Sequence, residues 1–348
     1  MKVLTTLPQA DLNEIPNAAR TAEAAGFDSI ATMENRHDPF LSLGVAAVNT
    51  SDITLTTAVA IAFPRSPMVV ANTAWDLQNA SRGRFVLGLG PQIKPHNEKR
   101  FSVPWSPPAP RLREYVQALR AIWRSWQTGE RLRFEGDHYT FTLMTPNFVP
   151  PSTDQPRVPV TLAAVGPLTL RLSGEVADGV RLHPFCTRAY LEDVVLTHIR
   201  EGFEKSGKRR ENFEIAGGGF VATGETDEEV AKIVEWVRYR IAFYGSTPSY
   251  WPVLEHHDLG DLGRKLNAMT KAGQWDDMAA EISDDVVALF AAIGRYDELP
   301  ERIAARFGGV VDLVYASMSS DVRPNIPPDV ITNIQAIPTE FESFESLW

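Results

Sequence analysis

The chain has 348 residues, 44% of them hydrophobic, with 34 basic against 44 acidic side chains and a formal net charge of −10. Such a length suits two average domains or one barrel with insertions, and the acidic balance excludes nucleic acid as the main partner, because phosphate neutralisation needs a basic face. The single cysteine, Cys186, excludes an intramolecular disulfide and reads as a buried thiol; with no signal-peptide pattern and no apolar run long enough to span a bilayer, the expectation is a cytoplasmic protein with no membrane partner.

Residues 2–7 form a first apolar run that stops at Pro8. Residues 11–25 carry helical spacing, with Asp11 and Glu14 placed as a capping box and Gly26 ending the helix. Strand predictions follow at 27–31, 53–61 and 85–89, separated by helices over 40–49 and 67–80, the latter opened by Pro67. The rhythm breaks at 90–110, where six prolines stand in a stretch without period. A loop that long inside a compact domain is usually functional. Residues 111–127 give a strong helix and 131–143 alternate like a small hairpin, with 146–159 proline-rich surface.

The rhythm resumes with strands at 160–163, 180–183, 213–223 and 310–316. Helices are predicted over 166–177, 188–205, 227–243, 275–293, 298–307 and 327–336, with an irregular insertion at 245–274. Eight strands in order, each followed by a helix, predict a (β/α)8 barrel over 1–348, with insertions near 90–110, 128–159 and 245–275. A doubly wound sheet is the alternative that the strand count leaves open. The tail from Thr339 is acidic and aromatic and either packs on a neighbour or frays.

In parallel barrels the working residues follow the strands. After the second strand, Glu34, Asn35, Arg36, His37 and Asp38 make the densest polar cluster. His37 suits proton transfer near neutral pH, and Glu34 suits orienting it or a cofactor ring; a plain surface loop is the competing reading. Small side chains around Thr57, Ala58 and Val59 leave room for a flat ring. Gly88 and Gly90 permit close backbone approach but make no dinucleotide fingerprint, since Ile93 stands at the third glycine position. His96 lies in the long loop beyond. At Ala164, Val165, Gly166 and Pro167 a strand opens directly into a helix, an anion-ready terminus, and His183 ends the next strand. There is no Gly-x-Ser-x-Gly elbow and no Walker loop, and the adjacent pair His256 and His257 does not make a metal site, so no metal is expected.

The stretches 58–71 and 77–90, the run 172–180, and Glu34 with Asp38, Pro39 and Phe40 together resemble the luciferase-like monooxygenase superfamily. Residues 101–105, 113–126 and 241–252 resemble its branch that uses the deazaflavin coenzyme F420. The resemblance implies a barrel, a homodimer, and cofactor rings against the end of the third strand at a cis peptide, by position Ala58–Val59. It implies the cofactor phosphate at Ala164 to Pro167, and Gly88, Gly90 and the region of His96 facing the ring or its side chain. Two positions depart from that branch: Asn35 stands where some members carry histidine, and Gln92 near where some carry glutamate. The functional expectation is hydride transfer between coenzyme F420 and a small organic substrate, with His37 as first choice for acid or base. The alternatives are an FMN-dependent monooxygenase, a barrel that binds flavin without catalysis, and a metal-dependent barrel hydrolase.

Overall fold

The computed structural model describes residues 1–316, 325–346 and 348. In chain order the strands are β1 (Lys2–Thr6), β2 (Ser29–Thr32), β3 (Thr54–Thr57), β4 (Ala60–Ile61), β5 (Phe85–Gly90), β6 (Phe134–Glu135), β7 (Thr140–Phe141), β8 (Val160–Ala164), β9 (Gly179–Leu182), β10 (Glu214–Gly217), β11 (Phe220–Gly224), β12 (Ala291–Arg295) and β13 (Leu313–Tyr315). Eight of them run β3-β2-β1-β13-β10-β9-β8-β5, and β3 pairs back with β5, which closes a parallel barrel. Closure removes every open edge that a doubly wound sheet would leave.

The barrel strands are buried almost throughout, as their Val-, Leu- and Thr-rich sequences require of a sheet covered on its outer side by helices. Two large apolar clusters lie between the strands and the helices, and a small one of Leu4, Ala31, Ala216 and Leu313 fills part of the interior. The rest of the interior is polar. Arg181 on β9 pairs with Glu214 on β10 at 3.0 Å and donates to Thr161 Oγ1 at 3.1 Å. Cys186 is buried, as expected, and burial pushes its thiol up to about 12, so it is no nucleophile at neutral pH.

Several expectations need correction. The strand predicted over 53–61 is interrupted by a cis peptide between Ala58 and Val59 and continues as β4. The strand predicted over 213–223 is two strands. Gly217 and Gly218 turn the chain at φ +85° and +86°, and β11 leaves the barrel to pair in parallel with β12 in a separate sheet. That partner comes from the end of the helix predicted over 275–293, which is a short turn, the helix Asp284–Phe290 and then β12. The apolar run Ala291-Ala292-Ile293 reads equally as helix or strand, and the free edge of β11 decides it. The insertion at 245–274 is helical, Trp251–Glu255 and Gly260–Lys271, not irregular. The capping box at Asp11 and Glu14 does not form: Asp11 Oδ1 accepts from Asn13 N at 2.8 Å and the helix starts later, at Ile15. The hairpin β6–β7 stands as predicted, and the tail folds back on its own chain, with the Trp348 ring 5.0 Å from that of Trp75.

Candidate active site

A cavity of about 500 Å³ opens where β2, β3, β8, β9 and β13 end. Its wall begins at the bulge between β3 and β4. There Ala58 N donates to Thr32 O at 2.8 Å, and the cis Ala58–Val59 peptide lines the cavity. Strand β5 supports the bulge from behind. Thr57 Oγ1 donates to Gly88 O at 2.7 Å and accepts from Gly88 N at 2.9 Å. A Cβ on Gly88 would lie 1.9 Å from Thr57 O, and one on Gly90 would lie 2.7 Å from Val59 Cγ2. Both glycines therefore serve strand packing. Neither they nor Thr57 line the cavity, contrary to the expectation that they face a cofactor.

Glu34 also belongs to the bulge. Its carboxylate accepts from Ile61 N at 2.7 Å and from Arg65 Nη1 at 2.7 and 2.9 Å, with the side chain 6% exposed. A carboxylate so engaged is a brace for β4, and its lone pairs are turned away from any reacting atom. Of the strand-2 cluster only Asn35 lines the cavity; His37 is exposed and outside the lining. His96 is exposed on a π-helical turn, His96–Arg100, and Gln92 accepts a hydrogen bond from the next backbone N–H, Ile93 N, at 2.9 Å. The structure does not bring His37 and His96 to the cavity.

On the side of β8, Ala163, Ala164 and Val165 form a wall of small groups. Gly166 then caps the helix Pro167–Val176 in an extended conformation, and a Cβ there would meet nothing within 4 Å. Open space at a helix N-terminus, next to a cavity wall, is where an anionic group binds without steric cost.

His183, at the end of β9, lies edge-on to Tyr244 with ring centroids 4.3 Å apart and tilted against Tyr250 at 4.7 Å. Burial, reinforced by the Arg240 charge, pulls its pKa down to about 3. The ring is neutral, and because Nδ1 accepts from Phe185 N at 3.1 Å, its proton sits on Nε2. His183 is therefore a fixed donor.

The sequence reading missed the rest of the wall. Arg181 lines the cavity floor, Tyr315 stands beside it, and the helix Asp227–Gly245 brings Trp236, Arg240 and Tyr244 to the mouth. Arg240 donates to the Tyr244 hydroxyl, and its guanidinium lies 4.7 Å from the Tyr244 ring and 5.6 Å from that of Trp236. Among the described residues no Asp or Glu lines the cavity and no ion pair holds Arg240. The 236-240-244 spacing, i and i+4 on one helical face, was the available signal.

A closed parallel barrel with its cavity at the C-terminal ends of the strands defines a barrel enzyme. The sequence profile of the luciferase-like monooxygenase family matches residues 2–313. An uncharacterized protein of Mycobacterium tuberculosis is 48% identical over 307 residues, 86% of this chain and 90% of the relative. A 5,10-methylenetetrahydromethanopterin reductase of Archaeoglobus fulgidus is 28% identical over 344 residues, 96% of each chain. Among solved structures, the coenzyme F420 dependent tetrahydromethanopterin reductase from Methanopyrus kandleri matches with TM-score 0.76 at 20% identity, over 97% of both chains. An F420-dependent secondary alcohol dehydrogenase in complex with an F420-acetone adduct matches with TM-score 0.70 at 18% identity, over 96% of this chain and 98% of that one. The chain belongs to the luciferase-like monooxygenase family, and it is an oxidoreductase.

Among the described residues no group of three His, Cys, Asp or Glu is placed to hold a metal ion, and no helix is long and apolar enough to cross a membrane.

Proposed function

We propose that this oxidoreductase uses coenzyme F420 and transfers a hydride between the deazaflavin and a small organic substrate. The observation that carries the reading is the cavity wall itself: Ala58 and Val59 on one side and Ala163, Ala164 and Val165 on the other leave an apolar slot of small groups beside an open helix N-terminus. That combination fits a tricyclic ring with a phosphorylated side chain. Ala58, Val59, Ala163 and Ala164 would hold the ring, and Ala164 to Pro167 the phosphate. Relatives whose names include F420 dependence support the choice of cofactor, among them the secondary alcohol dehydrogenase and a glucose-6-phosphate dehydrogenase of Nakamurella multipartita.

When bound, the deazaflavin supplies two-electron hydride chemistry. The chain supplies position, charge and exclusion of water. His183 offers Nε2–H as a donor whose charge does not change across neutral pH. Arg181 and Arg240 put positive charge beside any oxygen that becomes negative as a carbonyl is reduced. Trp236 and Tyr244 narrow the mouth and strengthen both interactions by lowering the local dielectric. The same reading takes His183 and Tyr315, rather than His37, as the polar groups nearest the reacting atoms, and takes the chain as a cytoplasmic homodimer.

The test is a fluorescence titration of purified protein with coenzyme F420 and with FMN, followed by a screen of alcohols, aldehydes and enones for F420 oxidation or reduction. Micromolar or tighter preference for F420 with turnover is the expected result. Preference for FMN with oxygen uptake would replace the reading with a monooxygenase, and tight binding without turnover would replace it with a non-catalytic barrel.

A further inference from the structure

A second cavity, of about 610 Å³, lies at the opposite, N-terminal face of the barrel. Its floor rests on Asp178, the residue just before β9. This carboxylate is buried and accepts from Val160 N at 2.9 Å. Three cations converge on it: Arg120 at 2.9 Å, Arg157 at 3.1 Å and Lys208 at 3.7 Å. One carboxylate neutralises one of them, so the floor keeps an excess of positive charge. Burial pushes the Lys208 ammonium down to about 8, Arg120 and Arg157 push the same way, and Asp178 opposes them.

Above this floor Arg124, Arg131 and Arg133 complete the lining, giving five guanidinium groups against two carboxylates, Glu130 and Glu345. In a chain of net charge −10 that concentration is against the trend. Arg133 has its own partner, Glu135 at 3.1 Å, but the two lining carboxylates do not satisfy the others. Glu130 stays 3.8 Å from Arg124 and Glu345 3.9 Å from Arg157, too far for hydrogen bonds. The Nε atoms of Arg120 and Arg157 are buried and have no hydrogen-bond partner. Those two N–H groups are closed off from the cavity, so Arg120 and Arg157 act on an oxyanion there through their charge.

We propose that this cavity binds a phosphate-bearing small molecule at a site separate from the active cavity. Guanidinium forks match phosphate oxygens two at a time, which a single ammonium or a helix terminus does not do. The volume falls within the range of about 300–1,000 Å³ typical of small-molecule sites and exceeds what inorganic phosphate alone fills. Because Trp348 and Trp123 line the same cavity, occupancy has a built-in optical readout.

The experiment is a titration of the full chain with pyrophosphate and with inorganic phosphate, read by tryptophan fluorescence against potassium chloride of matched ionic strength. The expected result is a saturable change with pyrophosphate. Arg124→Gln and Arg131→Gln leave the partners of Asp178 intact and should each weaken binding by about tenfold, with melting curves close to that of the parent. Gly166→Asp, at the other end of the barrel, should leave pyrophosphate binding unchanged. A response that follows ionic strength alone, unchanged affinity in both arginine variants, or loss of pyrophosphate binding in Gly166→Asp would each overturn the proposal. None of these outcomes depends on which redox cofactor the active cavity takes.

Discussion

Two strands of this barrel break near the cavity, and they break differently. The third barrel strand stops at Thr57, makes the cis Ala58–Val59 bulge, and rejoins the same sheet as β4, where Ala60 and Ile61 pair with Leu89 and Gly90. The seventh stops at Gly217 and does not rejoin; β11 goes on to a different sheet. In the first case the glycines are on the neighbouring strand, at Gly88 and Gly90, where they make room for a displaced backbone. In the second they are in the broken strand, at Gly217 and Gly218, where they supply the left-handed conformations that turn it away. A break that stays in the sheet needs space beside it; a break that leaves needs freedom within it.

The most damaging way to test this contrast is Gly88→Ala. The new methyl would meet Thr57 O at 1.9 Å, so either the bulge or β5 must move. We expect a loss of about 3 kcal/mol or more in urea unfolding and loss of cofactor binding. Gly217→Ala should cost less, about 2 kcal/mol, since it adds a left-handed conformation penalty and a contact of 2.7 Å to Leu182 O without touching the bulge. If the two variants have equal effects on cofactor affinity, the division of labour between the two breaks is wrong.

Glu34→Gln tests the brace from the other side. It retains the shape but removes the charge that Arg65 pairs with, and should cost about 1–2 kcal/mol while lowering cofactor affinity through the bulge, not through lost chemistry. Rate constants at saturating cofactor should change little.

His183 gives a pH-dependent prediction. Its folded pKa, about 3, lies below the ordinary value of 6.5. Between those values the unfolded chain takes up a proton that the folded chain does not, so its contribution to stability is complete above pH 6.5 and falls as pH drops toward 3. The loss between pH 6.5 and pH 4 is roughly 2–3 kcal/mol. His183→Asn should flatten that part of the stability profile. The mildest change is Gly166→Asp. The side chain has space, so the melting temperature should hold, while the added charge opposes a bound phosphate and should weaken F420 binding by about tenfold.

The barrel was legible because its evidence repeats: eight apolar runs, each followed by a helical period, tell the same story independently. The bulge was legible only through resemblance, since Thr57, Ala58 and Val59 read by periodicity as an ordinary strand. The anion-ready terminus at Gly166 followed from local rules, a strand opening straight into a helix. His37 and His96 misled because residue type and loop position say nothing about direction: both follow strands and both point to solvent. Arg181 was hidden in a strand otherwise apolar, where an inward charge is rare unless a partner such as Glu214 faces it from the next strand. Arg240 was hidden on a helix that looked like any other amphipathic one.

The wall formed by Trp236, Arg240 and Tyr244 has a consequence for how such a protein changes over time. It is carried by the helix Asp227–Gly245, which follows a strand that has already left the barrel. Substitutions there alter the shape and charge at the mouth without disturbing the hydrogen-bonded ring that holds the bulge. The mouth of the cavity and the wall at the bulge can thus diverge at different rates, and, on the proposed reading, a library confined to that one helix would explore new substrates on an unchanged frame.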